Sequence, residues 1–251
     1  MTYRTLIKVA FASSIILFAG ASIAMGPGGN CGGVGVGVGV GGGGGGCGDE
    51  QNKAGSGCQI SSSLGAPVVE LSSESAATLL QMREEEKLAR DVYAELGEKW
   101  GAKVFNIAKA EQKHMHAMKK MLDRFGMQDP ITDDSRGVFQ SQSVADLYNQ
   151  LVESGSESLL AALQVGAKIE ELDLSDLRIA ADGVNDPVLA KVYSNLSRAT
   201  RNHLRAFAAQ IEREGGTYTA EFLTQEEFDT IAASDFEKGH AGAQTKRNGQ
   251  K

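Results

Sequence analysis

The chain has 251 residues, 23% of them charged, and a formal net charge of −7. That length allows one domain of roughly 150 residues with tails. The acidic balance argues against a nucleic-acid partner, which would require a basic face.

Residues 1–24 have the form of a secretory signal. Arg4 and Lys8 give the positive start, an apolar run follows from Val9 to about Ala19, and Ser22-Ile23-Ala24 is a small-x-small cleavage site before Met25. The run falls short of the ~20 apolar residues a spanning helix requires. No cysteine stands just after the cleavage site to carry a lipid. The expectation is export to the periplasm or beyond, with no stable membrane span after cleavage. Residues 25–70 read as a disordered, glycine-rich linker. Val-Gly alternates from Val34 to Val40, and Gly41 to Gly46 is all glycine, a composition with a large ordering cost and little to bury. Cys31, Cys47 and Cys58 all fall here. An odd count leaves at least one without a partner in the chain, and no Cys-x-x-Cys pair is present.

From Ser72 the pattern turns helical. Ser73 is placed to cap a first helix reaching about Trp100, with Leu79, Met82, Glu86, Ala89, Tyr93 and Leu96 on one stripe. Gly97 and Gly101 bracket its end, and a very short turn leads into a second helix over about 102–125. The second stripe runs through Val104, Ile107, Ala108, Glu111, His114, Met115, Met118, Met121, Leu122 and Phe125. A turn that short makes the two helices antiparallel neighbours. Gly126 closes the second helix, and Pro130 forbids its continuation.

Residues 127–155 carry loop signals and a short helix at about 143–153, enough chain to cross a bundle from end to end. A third helix spans about 156–181, with Leu159, Leu163, Ala167, Glu170, Leu174 and Leu177 inward. Asp186-Pro187 opens a fourth helix that runs to about Glu214, with proline where its missing donor does no harm. Its stripe reads Leu189, Val192, Leu196, Ala199, His203, Ala206, Gln210. A last short helix at about 225–233 docks through Phe222, Phe228 and Ile231, and residues 236–251 read as a flexible tail. The expected fold is all-α: a ferritin-like four-helix bundle over residues 71–235, with a long crossover between helices 2 and 3 and short accessory helices.

Each long helix sets a metal-competent side chain in the middle of its apolar stripe: Glu86, Glu111 with His114, Glu170, and His203. One buried acid is commonly satisfied by hydrogen bonds alone. Four helices each placing such a group imply a shared cationic partner, because three carboxylates in a low-dielectric core repel one another. Glu-x-x-His at i, i+3 is the spacing by which bundles present two ligands to one ion. Mixed oxygen and imidazole donors suit iron first, with manganese or zinc as alternatives, at one or two positions. On the third helix Glu171 and Asp173 stand as alternatives to Glu170, since one residue of register moves the choice. Tyr93 is placed to bond a ligand carboxylate, and Asp91 to orient His114 or His203. Glu84 and Glu85 read as surface residues or as neighbours of the ligands, with the solvated face favoured, and His116 reads as exposed. Met115, Met118 and Met121 read as core packing rather than a copper site. A metal-free core of buried ion pairs would require Arg or Lys on the same stripes, where none stands.

Glu86 to Tyr93 resembles the Glu-x-x-Ala-x-x-x-Tyr of the first helix in ferritins and rubrerythrins, and Glu111 to His114 resembles their second-helix Glu-x-x-His. More closely, the blocks 83–93 (REEEKLARDVY), 166–173 (GAKIEELD) and 202–207 (NHLRAF) resemble the bacterial and archaeal ferritin-like family called domain of unknown function 2202. The resemblance covers about 75–232 and implies a ferritin-like fold with a metal site. Glu86 would be the first-helix ligand, Glu111 the bridge between two ions, Glu170 the third-helix ligand, and His114 and His203 the nitrogen ligands. The full di-iron pattern has a second Glu-x-x-His on the fourth helix, but here Thr200 stands three residues before His203. The second ion would then have one carboxylate fewer, or take a water or a neighbour's acid.

Two functions follow. One is an exported non-haem iron or manganese protein with ferroxidase or peroxidase-type redox activity. The other is a non-catalytic bundle that holds an ion for storage or stability, or binds another protein. Nothing in the sequence reports a 24-fold cage, and a homodimer is left open.

Overall fold

The computed structural model describes residues 68–239. The expected signal, residues 25–67 with the three cysteines, and the chain beyond 239 lie outside the described residues. Among the described residues the protein is all-helical, with no strand. The helices are α1 (Ser73–Trp100), α2 (Ala108–Arg124), α3 (Gln142–Gly155), α4 (Leu159–Asp182), α5 (Pro187–Arg213) and α6 (Gln225–Ala233), with a 3-10 turn at Lys103–Ile107. None of them is long and apolar enough to cross a membrane.

Local chemistry accounts for the helix ends. Ser72, not Ser73, caps α1, its hydroxyl accepting from the Ser75 amide at 3.1 Å. Ser158 and Asp186 cap α4 and α5 in the same way. Gly101, at φ 64°, stops α1 in the left-handed conformation that glycine enters freely. The helical spacing of Val104 and Ile107 does not start α2 there. Those residues form the 3-10 turn instead, which seats the buried Phe105 on α1 at Gly97. A Cβ on Gly97 would stand 2.9 Å from that of Phe105.

Paired residues show the helix directions. Arg83 donates to the Met115 carbonyl and Arg90 to Gln112, so α1 and α2 run antiparallel. Ser75 bonds the Gly183 carbonyl, Gln81 reaches Asp176 and Tyr93 bonds the Gly166 carbonyl, so α1 and α4 are also antiparallel. Between α4 and α5, Thr200 bonds Asp173, and Gly166 leaves room for the Phe207 ring.

α5 packs chiefly on α4, and this turns its buried face. Leu189, Tyr193, Leu196, Thr200, Leu204, Phe207 and Ile211 are buried. Val192, Ala199, His203, Ala206 and Gln210 are only half-buried. The sequence stripe is thus corrected by about one residue, and His203 sits at the margin of the face.

The core divides into two apolar clusters. One holds Tyr93, Leu96, Phe105, Leu163, Leu204 and Phe207. The other holds Leu79, Met82, Met118, Leu122, Leu177 and Tyr193. Met115, Met118 and Met121 are buried, as expected of packing residues, and His116 is exposed. Glu86, Glu111, His114, Thr200 and His203 lie along their helices between the two clusters.

The segment 127–141 lies against the face of α1 that the sequence reading left to solvent. Arg83 forms a two-pronged pair with Asp129, and Arg90 pairs with Asp134. Lys87 bonds Asp91 and the Ser135 carbonyl and lies 4.5 Å from the centre of the Phe139 ring. The Ser141 amide donates to Glu84. Glu84 is therefore 4% exposed, and Glu85, bonded to a Gln81 that also reaches Asp176, is 6% exposed against α4, both contrary to the expected solvated face. Asp91 is engaged by Lys87, Arg90 and the Gly137 amide, so it orients neither histidine. Buried ion pairs do occur, on faces adjacent to the stripes.

On another face of the molecule, Glu171 organises the approach to α6. It is fully buried and accepts from the Tyr218 hydroxyl (2.7 Å) and from the amides of Glu221 (3.0 Å), Phe222 (3.1 Å) and Leu223 (2.8 Å). Glu237, placed in the tail by the sequence reading, is held by Arg201 and Arg205.

Glu171→Ala removes the shared acceptor of one hydroxyl and three amides, all part-buried, so water replaces some of the lost bonds. The expected loss is roughly 3 kcal/mol, a fall in Tm of about 6–12 °C for a domain of this size. Thermal unfolding reads it, and an unchanged Tm would show that the 218–223 loop holds itself.

Candidate metal centre

Glu86 is carried by α1, Glu111 and His114 by α2, Glu170 by α4 and His203 by α5. The structure brings all five together. His114 Nδ1 lies 2.7 Å from Glu111 Oε2 and 3.3 Å from Glu86 Oε2. His203 Nδ1 lies 2.9 Å from Glu111 Oε1 and 3.4 Å from Glu170 Oε2. The two imidazoles stack with centroids 5.5 Å apart and planes 19° apart. Two clusters result: Glu86, Glu111 and His114, and Glu111, Glu170 and His203. Each offers donor atoms within 4.8 Å of one another, and Glu111 belongs to both. The carboxylates are almost wholly buried, and the imidazoles, at 13% exposure, form the outer edge.

Proximity has not produced hydrogen bonds. Glu86 Oε1, Glu111 Oε1, His114 Nδ1 and His203 Nδ1 are all shielded from solvent without a hydrogen-bond partner. Nitrogen and oxygen donors converge at short range but are not aligned on each other. Buried polar atoms are normally paired, and donors aimed at a shared point between them are the arrangement a cation satisfies. The set of three carboxylates and two imidazoles therefore has the donor atoms to hold a metal ion.

Of the third-helix candidates, Glu170 enters the cluster. Tyr93 donates to its Oε1 at 2.7 Å, the carboxylate contact expected of that tyrosine. Glu171 points away to the 218–223 loop. Asp173 belongs to neither cluster, but it is part-buried, one turn after Glu170, and bonded to Thr200. Its nearness could have been read from its place three residues after Glu170, on the same helix face.

The acids and imidazoles of the cluster shift one another strongly. Burial, with Glu111 adding, raises Glu86 to about 7, although His114 offsets part of it. Burial also acts to raise Glu111, but His114 and His203 outweigh it and hold that carboxyl at about 2. Burial would lower both imidazoles. Glu86 and Glu111 instead push His114 up to about 12, and Glu170 and Glu111 push His203 up to about 10. Two imidazolium protons thus stand in for cations. Both folded values lie above the unfolded one, so their stabilisation is full below about pH 6.5 and is lost as pH rises through about 10 and 12.

Fold and site together define an all-helical protein whose carboxylate and histidine groups are able to hold a metal ion. The chain belongs to the family described as "Uncharacterized protein domain (DUF2202)", whose model matches residues 75–235. It is 42% identical over 174 residues to uncharacterized protein MJ0754 of Methanocaldococcus jannaschii, covering 69% of this chain and 94% of that protein. The crystal structure of hypothetical protein MJ0754 from Methanococcus jannaschii DSM 2661 superposes with a TM-score of 0.67 at 42% identity, covering 68% of this chain and 98% of that one.

Metal binding requires imidazole nitrogens without protons. Since both histidines are protonated at pH 7 in the metal-free state, uptake should release roughly one proton per histidine engaged, and affinity should climb with pH. Calorimetric titration in buffers of different ionisation enthalpy counts those protons. Uptake that releases none and ignores pH would show that His114 and His203 take no part.

Proposed function

We propose that this chain is an exported ferritin-like metalloprotein holding iron, with manganese or zinc as alternatives, at one or two positions formed by Glu86, Glu111, His114, Glu170 and His203. In this reading α1, α2, α4 and α5 are a four-helix bundle, and the segment containing α3 is its long crossover. Support for the topology comes from the pairings: α2 and α4 each oppose α1, so the chain must return the length of the bundle between them. Support for the metal comes above all from four buried donor atoms of the cluster without hydrogen bonds. Export rests on the sequence of residues 1–24 alone.

Bound iron or manganese would supply one-electron chemistry toward oxygen or peroxide. The residues do the rest. Glu111 presents one oxygen to each half of the site. Tyr93 holds one oxygen of Glu170 and leaves the other toward His203. The apolar clusters on both sides limit water to the histidine edge. A second reading, an ion held only for stability, draws on Thr200, which stands where the di-iron pattern has an acid.

Metal analysis of the purified protein beside a Glu111→Ala, His114→Ala double variant tests the site. The wild type should carry metal and the variant little or none, and equal contents would defeat the reading. Peroxide-dependent Fe(II) oxidation above the buffer rate separates the two functions. Chelation that lowers Tm in a protein without turnover supports the structural ion.

A further inference from the structure

We propose that Asp173 supplies the carboxylate that Thr200 does not, as a sixth donor shared between the two positions, with Thr200 as the residue that positions it. This rests on the metal reading above and names a ligand outside its five residues.

Asp173 stands one turn beyond Glu170 on α4, and Thr200 stands one turn before His203 on α5. The Thr200 hydroxyl donates to Asp173 Oδ2 at 2.7 Å, with the Leu196 carbonyl 3.1 Å away as its alternative acceptor. The hydroxyl has only one proton to give. Through this bond, a carboxylate from α4 is held beside the place where a carboxylate from α5 would start. The other oxygen, Oδ1, is shielded from solvent and has no partner. Its surroundings favour a cation: burial and then Glu86, Glu170 and Glu111 raise its carboxyl, and no lysine or arginine is among the groups acting most strongly on it. Glu170 and His203, each one turn from this bonded pair, share a cluster with Glu111, the residue common to both positions. Asp173 is not a member of either cluster, and as a ligand its short side chain would turn toward them.

The test is anaerobic Fe(II) and Mn(II) titration of the full chain, with bound metal counted after equilibrium dialysis. Wild type should take up two ions. Asp173→Asn, which keeps an acceptor for Thr200, should retain one, or bind the second at least about tenfold more weakly. Its metal-free Tm should equal or exceed that of wild type, because a carboxylate with one unpartnered oxygen among other acids has been removed. Thr200→Ser should bind as wild type, and Thr200→Val should shift toward Asp173→Asn. The Thr200 pair keeps the test sound if Asp173→Asn folds poorly. Two ions in Asp173→Asn at wild-type affinity overturn the proposal, leaving Asp173 a buried acid bonded only to Thr200. A wild type that takes up one ion overturns the sharing. A wild type that takes up none overturns the metal reading, and this inference with it.

Discussion

Three carboxylates from three helices meet two imidazoles in one layer of an otherwise apolar core, and no lysine or arginine is among the groups acting most strongly on them. This layer constrains the packing more than the leucines and methionines around it. Apolar cores accept exchanges of similar volume at modest cost. A buried carboxylate displaced from its counter-charge is far more expensive. The two apolar clusters lie on either side of the layer, so the helix registers that satisfy it also close both halves of the core.

α1 treats buried charge in two opposite ways, and the contrast supports the metal reading. Toward the segment 127–141 it presents Arg83, Lys87 and Arg90, each answered by an aspartate. Lys87 is fully buried and still satisfied, by Asp91 and the Ser135 carbonyl. Toward the core the same helix presents Glu86, which meets only other acids and a histidine. The chain therefore has cations on α1, adjacent in sequence to Glu86, and directs them elsewhere. An ion from outside the chain is the simplest complement to what remains.

Much of this was legible from spacing because helix periodicity is local. The α1 stripe from Leu79 to Leu96, the Glu111–His114 pair and the buried methionines needed nothing beyond 3.6 residues per turn. The errors came where long-range contact decides. Glu84 and Glu85 look like a solvated face until a later loop is laid over the first and α4 is packed beside the second. Asp91 looks free to orient a histidine until Lys87 and Arg90 are seen to hold it. The α5 stripe was misdrawn because its boundary residues are alanines and a histidine, which suit an interface margin as well as a core. Its true face turns toward α4.

The acids of α4 show how little separates these outcomes. Successive residues on a helix point about 100° apart. Glu170 enters the polar layer, Glu171 binds the loop that leads to α6, and Asp173 returns near the layer, where Thr200 meets it. Spacing alone left all three open, because each is an acid on a largely buried helix. The choice between them is made at both flanks. Tyr93 fixes Glu170 from α1, and the Tyr218 hydroxyl with three backbone amides fixes Glu171 from the opposite side. With the rotation of α4 set from both sides, the Glu170 oxygen that Tyr93 does not hold faces His203. The donors are thus arranged by the fold itself, before any ion is present.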